Sequence, residues 1–170
     1  MSLLNIVNCL DPILRKKCQR VDNIDDCLVT LTEDMIETMY DASGLGLAAN
    51  QIGRTSDLFV IDVGIEQEKR DPVVIINPVI TASEDEVMGE EGCLSIPDIF
   101  AEIKRAHHVE VKGYDLRGNE VRYEAEGFLA RAFQHEMDHL KGGLFWDNLS
   151  KAKRDMLKRK FKKKLKELQT

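Results

Sequence analysis

The amino-acid sequence predicts an α+β fold: antiparallel β-sheets packed around a central helix, with an N-terminal helix before them and a basic helix at the C-terminus. Three observations carry this. Apolar residues recur at helical spacing in one segment near each end of the chain, the stretch after the first switches to strand-like runs, and a turn-rich segment returns the last strand antiparallel. Strands grouped between helices, not alternating with them, make the class α+β.

The elements follow in order. Asp11-Pro12-Ile13-Leu14-Arg15 reads as a short helical turn, with Asp11 suited to cap it and Pro12 to its first position. Over residues 25–40, Leu28, Leu31, Met35, Ile36 and Met39 keep the helical period, and Asp22 or Asp25 can cap the start. After Gly44 and Gly46 the period changes. Leu58-Phe59-Val60-Ile61, Val73-Val74-Ile75-Ile76 and residues 87–94 read as strands, and Val109 and Val111 mark a half-buried one. Asp115-Leu116-Arg117-Gly118-Asn119 supplies a turn before Val121-Arg122-Tyr123-Glu124-Ala125 returns. The central helix runs from Phe128 to about Leu140 and stops at Gly142-Gly143.

A chain of 170 residues and 19.3 kDa suits one compact unit, here residues 1–149, with a basic helix over 150–170 packed on it or extending from it. Hydrophobic residues at 43% and charged residues at 32% exclude disordered and fibrous classes. The longest apolar runs fall far short of the ~20 residues that cross a bilayer, and no secretory signal is visible, so a cytoplasmic address is expected, an organelle being the alternative. The four cysteines should then stay reduced. Cys9, Cys18 and Cys27 read as small buried apolar groups.

The net charge of -6 is unevenly distributed. Residues 151–170 hold ten basic and two acidic side chains, which leaves 14 bases against 28 acids in the rest. Met156, Leu157, Phe161, Leu165 and Leu168 form an apolar stripe on this helix. Its basic faces are either simply solvated or attach to an anionic surface, RNA in preference to lipid. Neither a membrane nor sequence-specific DNA is an expected partner.

His135-Glu136-Met137-Asp138-His139 is a His-Glu-x-x-His pattern. Imidazoles four apart on a helix point the same way, ~5 to 6 Å apart at Cβ, and can close on one ion, with Glu136 on the flank within reach of water at that ion. Such a carboxylate can act as general base and acid. Phe128 and Arg131 lie seven and four positions before His135 and extend the same face as the wall of a pocket. A catalytic site needs a third protein ligand and an open position. No His follows His139 closely, and His107 and His108 adjoin each other at a strand start, so the candidate is Cys93 in Glu91-Gly92-Cys93-Leu94-Ser95. Cysteine with two histidines suits zinc, iron, cobalt or nickel, and raw affinity favours zinc over ferrous iron.

Gly44-Leu45-Gly46-Leu47-Ala48-Ala49-Asn50-Gln51, Glu91-Gly92-Cys93-Leu94-Ser95 and Gln134-His135-Glu136-Met137-Asp138-His139 resemble, in order and spacing, the three signature motifs of peptide deformylases. The resemblance covers nearly the whole chain. It implies a catalytic domain that hydrolyses the N-formyl group from the initiator N-formylmethionine of nascent polypeptides, releasing formate. It further implies that Cys93, His135 and His139 bind one divalent metal ion, Fe(II) in the cell and Zn, Ni or Co in purified protein. Glu136 is then the general base and acid, and Gln51 with the Leu94 backbone N–H stabilises the oxyanion. Gly44, Leu45, Gly46, Phe128 and Arg131 would contact substrate, and the basic helix would dock on the ribosome near the nascent-chain exit. Two other readings remain: a zinc metallopeptidase of the His-Glu-x-x-His type, and a non-catalytic ribosome-associated module with a structural metal.

Overall fold

The computed structural model describes residues 1–169, so Thr170 of the expected terminal helix lies outside the described residues. Its frame is one five-stranded antiparallel sheet in chain order, β1 (Gly46–Ala48), β2 (Leu58–Asp62), β3 (Pro72–Cys93), β4 (Ile96–Tyr114) and β5 (Glu120–Glu126). Helices α1 (Asp26–Asp41), α2 (Gly127–Leu140) and α3 (Lys151–Leu168) pack around it. Asp25 caps α1 by accepting from the Leu28 N–H, and Asp11 caps the short Pro12–Arg15 turn with Pro12 at its start, as their positions predict.

Alternation along β2 explains why all five of its residues are buried. Phe59 and Ile61 face α2 with Ile75, Val109 and Val111, while Leu58 and Val60 face α1 with Val74 and Ile76. Helices therefore cover both faces of this part of the sheet, and a continuous apolar run is what such a strand requires. A third cluster lies under the end of the β3–β4 hairpin, where Leu157 and Phe161 of α3 meet Leu14, Ile96, Ile99, Phe145 and Trp146. Only part of the α3 stripe is used: Met156 and Leu168 are exposed.

Several expectations change. The runs at 73–76 and 87–94 are two ends of a single 22-residue strand, because its polar middle, Thr81 to Glu86, is held by backbone pairing with β4 and needs no apolar side chains. His107 and His108 lie inside β4, not at its start. β1 is too short to show a period. All four cysteines are free, and Cys27 is exposed on the first turn of α1, so it is not the buried apolar group expected; Cys18 is buried and Cys9 half-buried.

Phe161→Ala should lower unfolding free energy by about 3–5 kcal/mol in urea titrations, whereas exposed Lys162→Ala should change it by less than about 0.5 kcal/mol. Buried Asp62 accepts from the Tyr40 hydroxyl at 2.7 Å and from the Gly64 and Asp71 N–H groups at 2.9 and 3.0 Å. Burial pushes its carboxyl up, but these hydrogen bonds outweigh burial and hold it below the ordinary value. Its contribution is therefore complete above about pH 4 and is lost as pH falls through the depressed folded value. Asp62→Asn should show a shallower loss of stability on acidification than the unmodified chain.

Candidate metal centre

Helix α2 is set against the sheet by polar contacts as well as by its apolar face. The Gln134 amide accepts from the Ala106 N–H at 3.0 Å and donates to the Ala106 carbonyl at 2.9 Å, as a paired strand would, and Asn50 Nδ2 donates to the His139 carbonyl. This turns His135 and His139, both buried, toward the end of the hairpin. There β3 ends at Cys93 and β4 begins at Ile96, opposite each other across the two-residue turn Leu94-Ser95. His139 Nε2 lies 3.2 Å from His135 Nε2 and 3.3 Å from Cys93 Sγ.

The three donor atoms fall within 4.8 Å of one another, the only such group of three or more among the described residues. Two of the separations match the ~3.4 Å edge of a tetrahedron with bonds of ~2.0 to 2.3 Å. One thiol sulfur and two imidazole nitrogens suit a borderline-soft divalent cation, so the residues fit such an ion.

Glu91 sets the orientation of the site. Its Oε1 lies 2.9 Å from His135 Nδ1, leaving Nε2 for the cation side, and Arg105 grips both of its oxygens. Burial raises its carboxyl, but the hydrogen bonds from His135 and Arg105 prevail and hold it at about 2. Burial also opposes charge on His135, yet its contacts with Cys93 and Glu91 raise it well above the ordinary histidine value. For His139, burial and then the neighbouring His135 push the value well down, keeping that imidazole neutral.

Glu136 is buried beside this group, and its Oε2 has no hydrogen-bond partner among the described residues. Burial lifts its carboxyl to about 7, where a group can both take and return a proton. Space for it comes from Gly46, where a Cβ would sit 2.6 Å from Glu136 Oε1. At Gly44 a Cβ would come within 2.6 Å of the Leu94 side chain. The two glycines thus let β1 and its approach close on the other two motifs. Gln51 accepts from the Ala48 N–H at 2.9 Å through Oε1 and points Nε2 at Ser95 Oγ, 3.1 Å, and Cys93 Sγ, 3.7 Å.

A cavity of about 610 Å³ opens over these groups, lined by Gly44, Leu45, Gly46, Gln51, Cys93, Leu94, Phe128, Arg131, His135 and Glu136. All of the residues singled out in the sequence are therefore brought together, with His139 buried beside them. Phe128 is largely exposed at the mouth. Another concavity, of about 450 Å³, lies along residues 19–31 and 54–56 and contains none of the three donors. Glu91, Arg105 and Ser95 were not singled out as site residues.

The polypeptide deformylase family profile matches residues 3–155. A peptide deformylase of Syntrophobacter fumaroxidans is 51% identical, the match covering 98% of each chain, and one of Thermodesulfovibrio yellowstonii is 46% identical over 96% of this chain and 99% of that one. Among solved structures, a peptide deformylase from Legionella pneumophila superposes with a TM-score of 0.92 at 45% identity, covering 99% of this chain and 98% of that one. The Ehrlichia chaffeensis enzyme in complex with actinonin gives 0.91 at 42% identity, covering 96% of this chain and 98% of that one. With its strand order, its cysteine–histidine group and matches over nearly its full length, this chain belongs to the polypeptide deformylase family.

Proposed function

We propose that this protein is a metal-dependent hydrolase that removes the formyl group from N-formylmethionyl peptides of nascent chains and releases formate. The observation that carries the reading is the convergence of Cys93, His135 and His139 beside a buried, unpartnered carboxylate at the floor of an open cavity. Family membership supports the substrate. A cation held by these three residues would polarise the formyl carbonyl and make water acidic enough to lose a proton near neutral pH; Fe(II) is our choice for the cell, with zinc, nickel or cobalt suiting the same donors.

The remaining work falls to side chains and backbone of this chain. Glu136 takes the proton of the attacking water and returns it to the amide nitrogen as the C–N bond breaks, so formate and a free amine leave. The Gln51 Nε2 donors and the Leu94 N–H stabilise the formyl oxygen as it gains charge, an interaction of which one donor is typically worth ~10² to 10³ in rate. Gly44, Leu45 and Gly46 present an edge of the sheet to the peptide backbone, and Phe128 and Arg131 wall the side-chain pocket. The three-ligand donor set and its adjoining carboxylate speak against a closed structural site. A sulfur third ligand from the end of a hairpin strand speaks against a metallopeptidase with histidine or glutamate there.

We place catalysis in residues 1–149 and give the basic helix a second task. It packs through Leu157 and Phe161 and leaves Lys160, Lys162, Lys163 and Lys166 exposed, a cationic face suited to ribosomal RNA near the nascent-chain exit. No described helix is long and apolar enough to cross a membrane, and a cytoplasmic location fits this task.

Glu136→Gln should cut formate release from formyl-Met-Ala by ~10² to 10⁴ while metal content, measured on the same anaerobically purified sample, stays unchanged. Full turnover by that variant would remove Glu136 from the mechanism, and cleavage of the peptide bond with the formyl group retained would favour the peptidase. Replacing the four exposed lysines with glutamine should weaken ribosome co-sedimentation and flatten its salt dependence, with small-substrate turnover intact. An unaltered salt profile would make the helix purely architectural.

A further inference from the structure

Arg131 is buried on α2, one turn before His135, and both of its terminal nitrogens are hydrogen-bonded. Nη1 donates to Glu91 Oε2 at 2.8 Å and to the Ile103 carbonyl at 2.7 Å, and Nη2 donates to the Val87 carbonyl at 3.1 Å. Val87 lies in β3 and Ile103 in β4, so one helix side chain ties both strands of the hairpin that carries Cys93. Gly89 makes the room. A Cβ there would stand 2.8 Å from Nη2 and 2.9 Å from Cζ and Nε, so a side chain at 89 and this guanidinium cannot both occupy the present arrangement.

The shared target is the Glu91 carboxylate. Oε1 meets His135 Nδ1 and Arg105 Nη2, each at 2.9 Å, and Oε2 accepts from Arg105 Nε and Arg131 Nη1, each at 2.8 Å. Arg105 is also committed to Asp138. Without Arg131, the buried Oε2 would lose one of its two donors and the Val87 and Ile103 carbonyls would lose their link to the helix. Arg105 would still neutralise the carboxylate, so what is lost first is its position.

We infer that Arg131, with Gly89 as its steric counterpart, is a positioning residue for the metal centre: it fixes the Glu91 carboxylate that points His135 Nε2 at Cys93 and His139. Its terminal nitrogens face Glu91 and the two hairpin strands. The inference rests on the metal-site reading above. Partners that orient a ligating histidine typically contribute 10- to 100-fold to metal affinity or activity.

The test uses the full chain loaded with cobalt(II), read by its visible absorption band, by the rate of cobalt loss to a chelator, and by kcat and KM for formyl-Met-Ala. Arg131→Met should release cobalt at least ~10-fold faster, shift the band, and lower kcat with little change in KM; Arg131→Lys should restore part of each. Gly89→Ala keeps the arginine but displaces it and should reproduce the phenotype, with the double variant no worse than Arg131→Met alone. Arg122→Met, which removes the ion pairs of exposed Arg122 with Glu110 and Glu120, should leave all three readouts unchanged. Unaltered cobalt band and release in both Arg131→Met and Gly89→Ala would overturn the inference. If Arg131→Met does not fold, Gly89→Ala and Arg131→Lys decide it by the same readouts. Failure of the unmodified chain to take up one cobalt would instead sink the metal-site reading itself.

Discussion

The structure depends on bringing one sulfur from the end of a hairpin strand to within 3.3 Å of an imidazole on a helix that follows more than thirty residues later in the chain. Neither element makes a site alone. The two histidines are neighbours on α2 by helical geometry, but the thiol reaches them only if the end of the β3–β4 hairpin and the face of α2 are both fixed. Most of the buried polar contacts around the centre serve that requirement: Gln134 seats the helix on β4, Asn50 holds its last turn, and Glu91 joins the strand to the first histidine.

Steric economy does the rest. Gly44, Gly46 and Gly92 lie where a Cβ would come within 2.6 Å of Leu94, Glu136 and Phe100 respectively. These glycines act through missing volume, with no need for unusual backbone angles. The segment around β1, the hairpin turn and the central helix consequently interlock, and the carboxylate at the floor of the cavity sits against bare backbone. That contact excludes solvent from one side of Glu136 and helps explain why burial dominates its acidity.

Much of this was legible in the sequence. Helical period located α1 and α3, flanking glycines bounded α2, Asp11 and the pair Asp22 or Asp25 were readable as caps, and the histidine pair with Glu136 was visible from spacing alone. The sulfur donor emerged from the lack of a third histidine and from the resemblance to the deformylases. Other features had no local signal. The polar middle of β3 reads as loop because its pairing is made by backbone, and β1 has too few residues to show alternation. Cys27 was read as buried because cysteine usually is, yet its place on the first turn of α1 faces water. The significance of Glu91 and Gly89 depends on Arg105 and Arg131, which approach from other elements, and contacts of that kind cannot be read from one segment.

The placement of Leu157 and Phe161 beneath Ile96 and Ile99 has a temporal meaning. During synthesis the last imidazole emerges only with residue 139, and the apolar wedge that supports the thiol-bearing tip is translated later still. A chain still being synthesised thus lacks either His139 or the support beneath the Cys93 end of the hairpin, and the three donors reach their full arrangement only once Leu157 and Phe161 have packed.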